Sequence, residues 1–146
     1  MSSQDDNRFV DGYLLYLMAA ASDRASADFH GQVRAAGLRV PEWRVLACLV
    51  DCPPMMVTEL AERALLEQSR MTKTVDQMTA RGLLVRQADA DDRRRVRIAL
   101  TEEGQELAET LVAKARSHEA DLLASLANTD ADLIKPVLQA LLAALK

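Results

Sequence analysis

Aromatic side chains are scarce in this chain, with one Trp, two Tyr and two Phe among 146 residues. The core must therefore be aliphatic, built mainly from Leu, Val, Ala and Met. Cysteine and histidine are scarcer still, at two of each. Cys48 and Cys52 lie four apart in "RVLACLVDCPP" with no histidine near them in sequence, so two thiols are too few for a metal cage. On a helix they would share a face. That leaves two readings, small apolar residues near a core or a redox pair. His30 and His118 stand alone, as ordinary satisfied or exposed histidines. There is no Gly-rich phosphate loop, no metal-ligand cluster and no nucleophile beside a plausible base, so the chain carries no catalytic, metal or cofactor expectation. No apolar run reaches the roughly 18 residues that a membrane span needs. The start, "MSSQDDNRF", is polar and acidic, with no basic patch leading into an apolar run, which predicts no secretory signal and a cytoplasmic protein with no membrane partner.

What is present is ordinary in amount and unusual in placement. The length suits one domain with a core of its own, and 49% apolar and 27% charged residues are typical of a globular chain. The net charge is −4, which by itself argues against a polyanion partner. Its distribution argues the opposite. Residues 68–100 hold eight Lys/Arg and four acids, while the remainder holds ten bases against eighteen acids. A local positive surface on an acidic body is what DNA binding needs, because phosphate attraction decays over about one Debye length, roughly 10 Å.

Periodicity organises the chain into helices. Over residues 9–36, Phe9, Val10, Tyr13, Leu14, Leu17 and Ala21 share one wide stripe, and Gly37 sits where that helix would stop. Pro41 opens a second helix, "PEWRVLACLVD", which the pair Pro53–Pro54 ends. "TELAERALL", residues 58–66, reads as a short helix with Thr58 as a candidate N-cap. "QSRMTKTVDQMTARG" follows within a few residues, so the two form a helix-turn-helix candidate. At 100° per residue, Met71, Val75 and Met78 face the core, while Arg70, Lys73 and Gln77 form a donor-bearing stripe nearly opposite.

"LLVRQA" and "RVRIAL" then read as two strands, the second alternating Val96, Ile98 and Leu100 with Arg97 and Ala99. The loop between them, "DADDRR", gathers aspartates and arginines at one tip. A helix-turn-helix followed by such a hairpin is a winged helix. The helix suits the major groove, and a loop guanidinium from Arg93 or Arg94 suits the narrower, more negative minor groove. The aspartates would repel phosphate, so they either brace the arginines by pairing with them or merely solubilise the loop. Thr101 caps a long helix with glutamates in its first turn. A last segment, "LIKPVLQALLAALK", places Leu133, Ile134, Val137, Leu138, Leu141, Leu142 and Leu145 on one broad stripe, wider than one small domain needs, which points to burial against a second subunit. Pro136 predicts a kink or a late start there.

This order of elements resembles the MarR family of bacterial transcription regulators. The most specific carriers are "DADDRRRVRIALTEEG", similar to the family's wing and its Leu-Thr-x-x-Gly exit, and "TELAERALLEQSRMTKTVDQMTARGLLVR", similar to its helix-turn-helix. "PEWRVLACL" resembles the segment before it. The likeness runs over about residues 10–145. It implies a mainly α fold with a small β-hairpin wing. A helical dimerisation region, 1–36 and 101–146, would flank a winged helix-turn-helix lobe at 37–100 within one continuous domain. It further implies a homodimer on a pseudo-palindromic duplex operator and repression relieved by a small anionic aromatic effector. Arg94 falls where the family's wing-tip arginine enters the minor groove, and Asp92 on the acidic position that orients it. Ser69, Arg70, Thr72 and Lys73 fall on the part of the recognition helix that reads bases or phosphates. Asp91 departs from the pattern, since many members carry arginine there. The peroxide-sensing branch keeps its reactive cysteine near the start of the first helix, where this chain has none. For an effector carboxylate, Phe29, His30, Trp43 and Arg44 offer a cation or donor beside an aromatic wall. Two alternatives stay open: a redox-responsive regulator using Cys48 and Cys52, and a winged helix used for protein contact.

Overall fold

The structure, a computed structural model, describes residues 8–146. The acidic start, 1–7, on which the expectation about a secretory signal rests, lies outside those residues. Among the described residues six α-helices and three short strands follow one another. They are α1 (Leu14–Ala35), α2 (Val40–Leu49), β1 (Met55–Met56), α3 (Val57–Arg63), α4 (Gln68–Ala80), β2 (Leu84–Ala88), β3 (Val96–Leu100), α5 (Glu102–Ala124) and α6 (Ile134–Ala144). The fold is mainly helical with a small antiparallel sheet, as a winged helix requires. Among the described residues no helix is long and apolar enough to cross a membrane.

The first helix is not continuous from residue 9. Phe9–Gly12 form a 3₁₀ turn, Tyr13 is extended, and the α-helix proper starts at Leu14. Helix α3 begins one residue before Thr58, with Met56 at the cap and no side-chain cap bond, so Thr58 is not the N-cap. Cys52 lies beyond the end of α2 and shares no helical face with Cys48. Pro136 sits at the third position of α6, after a 3₁₀ turn over Ala131–Leu133. The late start is the observed outcome, because amides of the first turn have no intrahelical acceptor to lose.

The core is one cluster, aliphatic apart from Phe29, in which α2 and α4 are central. Val45, Leu46, Met71, Val75 and Met78 are fully buried, together with Ile98 from the sheet and Leu111 from α5. The wheel placed Met71, Val75 and Met78 on that face, and that is where they lie. The sheet has the order β1-β3-β2, pairing Met55 with Ile98 and Leu84 with Leu100. Only Ile98 of the alternating set is fully buried; Val96 is exposed because the hairpin has left the core by that point.

Three helices end in the same way. In α1, Gly37 N–H donates to Arg34 and Leu38 N–H to Val33; in α4, Gly82 N–H donates to Thr79 and Leu83 N–H to Met78. Both glycines are left-handed, at φ +82° and +78°. In α3, Leu65 N–H donates to Glu62 and Leu66 N–H to Ala61, and the left-handed residue is Leu65, at φ +58°. A leucine there carries a steric penalty that glycine lacks. Its side chain is 79% exposed, so little packing offsets it. Leu65→Gly is therefore expected to stabilise the fold by about 0.5–1 kcal/mol after allowing for the greater freedom of glycine in the unfolded chain. Urea unfolding checks this; an unchanged or lower midpoint would count against it.

Candidate nucleic-acid interface and effector cleft

The candidate recognition helix is α4. Its buried side holds Met71, Thr74, Val75 and Met78, which leaves Ser69, Arg70, Thr72, Lys73, Asp76 and Gln77 exposed. Thr72 is partly occupied, its hydroxyl donating back to the carbonyl of Gln68 at 3.1 Å. Gln77 is not a free reader at the end of the stripe, because its Oε1 accepts from Arg39 Nη2 in the segment before α2. Asp76 pairs with Arg86 of β2, fastening the recognition helix to the root of the wing.

The three aspartates of the wing sit in three different environments. Asp92 Oδ1 accepts from the backbone N–H of Arg94 at 3.0 Å and from its Nε at 3.3 Å, and Oδ2 lies 3.7 Å from Arg95 Nε. The Arg94 side chain is nevertheless 92% exposed, so its guanidinium is held at the stem and free at the end. Arg93, beside it at the tip, is exposed as well. Asp89 lies where β2 runs into the loop, next to the Ala88–Val96 pair. Its Oδ1 accepts from Arg97 Nε at 3.1 Å, and Arg97 Nη1 donates to the carbonyl of Pro54 at 3.2 Å. That hydrogen bond from Arg97 holds the Asp89 carboxyl below the usual carboxylate range. The contribution of Asp89 to stability is therefore present at neutral pH and lost only as pH falls through that lowered value. Asp91 is exposed at the turn.

A cleft of about 320 Å³ opens on the other side of α2, between α1 and α5. Phe29 and Trp43 meet edge to face across it, with ring centroids 5.0 Å apart, and the ring of His118 lies 6.0 Å from Phe29. Phe29, His30 and Trp43 all line this cleft. Arg44 is not on the wall; its charge acts instead on His30, whose pKa is lowered by burial and by the nearby Arg34 and Arg44. The α5 wall comes from the second half of that helix and includes His118 and Glu119. Sequence reading missed both residues, because an isolated histidine in a long helix carries no signal of what crosses it.

Cys48 and Cys52 pack against the core as free thiols, and Cys52 Sγ donates to the carbonyl of Cys48 at 2.9 Å. Burial pushes both thiols up from their ordinary value and outweighs the pull of Arg63. Such thiols are poor nucleophiles at neutral pH. This favours the structural reading of the pair.

The family model for MarR matches residues 38–96, the lobe that contains α2, the recognition helix and most of the wing. The structure also superposes on the MarR family transcriptional regulator SPO1453 from Silicibacter pomeroyi DSS-3 with a TM-score of 0.88. The two are 62% identical over 96% of this chain and 100% of SPO1453. The chain belongs to the MarR family. This MarR-family regulator is also 31% identical over 94 residues to the homoprotocatechuate degradative operon repressor of Escherichia coli, a match spanning 64% of each chain. BpsR of Bordetella bronchiseptica, whose DNA binding is regulated by 6-hydroxynicotinic acid, shares 23% identity over 92% of this chain and 95% of BpsR, at a TM-score of 0.78. At that identity the likeness is one of fold. Transcription regulation through a DNA-binding winged helix is the activity the family carries.

Proposed function

We propose that the chain works as a homodimeric repressor that holds a pseudo-palindromic operator and releases it when a small aromatic carboxylate enters the cleft. In this reading residues 1–36 and 101–146 form the dimer and 37–100 the DNA-reading lobe, with Ser69, Arg70, Thr72, Lys73 and the Gln77 end of α4 on the major groove. Arg93 and Arg94 sit on the minor groove, with Asp92 orienting Arg94.

The observation that carries the reading is the position of the cleft. Its α2 wall packs on the recognition helix α4. Its other walls are α1 and α5. At the start of α1 and just before it Phe9, Leu14, Leu15 and Leu17 are exposed, and α6, which follows α5 in the chain, buries none of its residues while exposing Val137, Leu142 and Leu145. Surfaces of that kind are stable in water when a second copy covers them. A ligand between α1, α5 and α2 therefore sits where it can shift the DNA-reading lobes relative to a dimer axis. Phe29 and Trp43 supply an aromatic wall, and His30 supplies a donor.

The experiment combines mass and ligand response. Light scattering should give two chains per particle, and deleting 133–146 should yield an aggregating or unstable chain. 6-Hydroxynicotinate and related aromatic carboxylates should quench Trp43 and weaken binding to a selected duplex. Burial and the nearby Arg34 and Arg44 hold the His30 pKa below its ordinary value, and a bound anion favours its protonated form. Affinity for the carboxylate should therefore rise as pH is lowered from 8 to 6. A well-folded monomer after truncation would overturn the dimer, and an unresponsive Trp43 would overturn the placement of the effector.

A further inference from the structure

Glu42 is charged, only 3% exposed, and has no place in either surface described above. Its Oε1 accepts from the backbone N–H of Arg39 at 2.8 Å and from Arg39 Nε at 3.3 Å. These two bonds cap the start of α2 and would suffice for that. Its Oε2 does something different. It accepts from Arg81 Nη1 at 3.1 Å, across 39 residues, at the C-terminal cap of the recognition helix. The same guanidinium donates through Nη2 to the carbonyl of Gly37 at 3.0 Å, in the turn between α1 and α2. Arg39 completes the link by donating to Gln77 of α4. One buried carboxylate thus fastens the C-terminal end of α4 to the start of α2 through two arginines.

Burying a carboxylate is unfavourable unless it is fully hydrogen-bonded, and a well-packed apolar residue at the same place often holds a fold as well. A geometry that repeats the fastening twice, through Arg81 and through Arg39–Gln77, sets an orientation more than it adds stability. The next residue is Trp43, which lines the cleft. A rigid α2 therefore connects the cleft wall to the end of α4 within one helical turn.

We propose that Glu42 is a positioning residue that sets the angle of the recognition helix against α2 and couples that angle to the Trp43 wall of the cleft. The proposal deepens the reading above and rests on its DNA-binding part alone, with no need of a known effector. Coupling is reciprocal, so DNA on α4 must be felt at Trp43. Trp43 is the only tryptophan of the chain, which makes it the probe.

Duplexes are first selected from a random pool on the wild-type protein, and Trp43 emission is then followed during titration. A selected duplex should shift the emission of the wild type. Glu42→Gln should weaken binding to the selected duplex by about tenfold, the scale of losing one hydrogen-bonded charge contact. It should change binding to an unselected duplex of equal length by less than about twofold, since phosphate contacts dominate there. The Trp43 shift should disappear. Arg81→Gln, at a more exposed position, should reproduce all three effects, and the double variant should be no worse than either single one. That second variant carries the test if Glu42→Gln does not fold. Wild-type affinity with a wild-type Trp43 shift in Arg81→Gln would overturn the proposal, and so would equal losses on selected and unselected duplexes. A wild type that enriches no duplex at all would instead overturn the DNA-binding reading on which the proposal stands.

Discussion

Gly104→Ala is expected to destabilise the fold by about 3–5 kcal/mol, a large part of the roughly 5–15 kcal/mol that holds a domain of this size together. Gly104 lies in the first turn of α5, and a Cβ placed on it would come within 2.1 Å of the Leu83 carbonyl oxygen. A backbone oxygen cannot swing aside as a side chain can. That carbonyl also accepts the Thr101 N–H at 3.1 Å, and Thr101 Oγ1 in turn accepts the Gly104 N–H at 3.0 Å. The Thr101 hydroxyl donates to the carbonyl of Gly82 at 2.6 Å. Moving α5 away to make room for a methyl group would therefore break the cap and separate α5 from the end of the recognition helix. Gly31 provides the control. It is exposed on α1 with nothing within 4 Å of a built Cβ, so Gly31→Ala should gain about 0.5–1 kcal/mol from helix propensity. Thermal unfolding of the two variants side by side decides the matter. A Gly104→Ala protein melting within a degree or two of the wild type would show that the α5 cap yields easily.

The second large effect is expected at the wing. Arg94→Ala removes a guanidinium that is almost wholly solvent-exposed and so costs the fold little, but it should weaken DNA binding to many sequences, most at A·T-rich flanks. The salt slope should fall by about one unit per wing. Asp92→Ala is the more telling variant. Removing an acid beside phosphate should tighten binding if charge alone mattered. Yet Asp92 accepts both the backbone N–H and Nε of Arg94, so without it the arginine must be ordered during binding. Weaker binding is the expected result, by about fivefold to tenfold, which is the scale of losing one such ordering contact. Tighter operator binding by Asp92→Ala at moderate salt would refute the brace.

The grounds for these two effects were unequally visible in the sequence. The wing aspartates could be read there as brace or solubiliser, and both choices fitted the string "DADDRR". Hydrogen bonding separates the roles, with Asp92 holding Arg94 at the tip and Asp89 holding Arg97 where the loop leaves β2. The Leu-Thr-x-x-Gly exit was a recognisable pattern, but why its glycine admits no side chain depends on where Leu83 lies, twenty-one residues earlier in the chain and across a hairpin.

What the sequence by itself determined was a set of features governed by neighbours within about one helical turn or one strand pair. The inward face of α4 at Met71, Val75 and Met78, the stops at Gly37 and Gly82, the Thr101 cap and a break in the helical pattern at Pro136 are of this kind. Each follows from periodicity, φ preference or a missing donor, and none needs to know the rest of the chain. The tertiary structure alone decided what distant segments do to one another. It put Glu42 against Arg81, tied Gln77 to Arg39, carried His118 to the wall of Phe29, and added β1, whose two residues are too few to show any alternation. Such contacts are chosen by how helices pack around a shared core. Packing depends on volumes summed over many residues, so no local pattern encodes it.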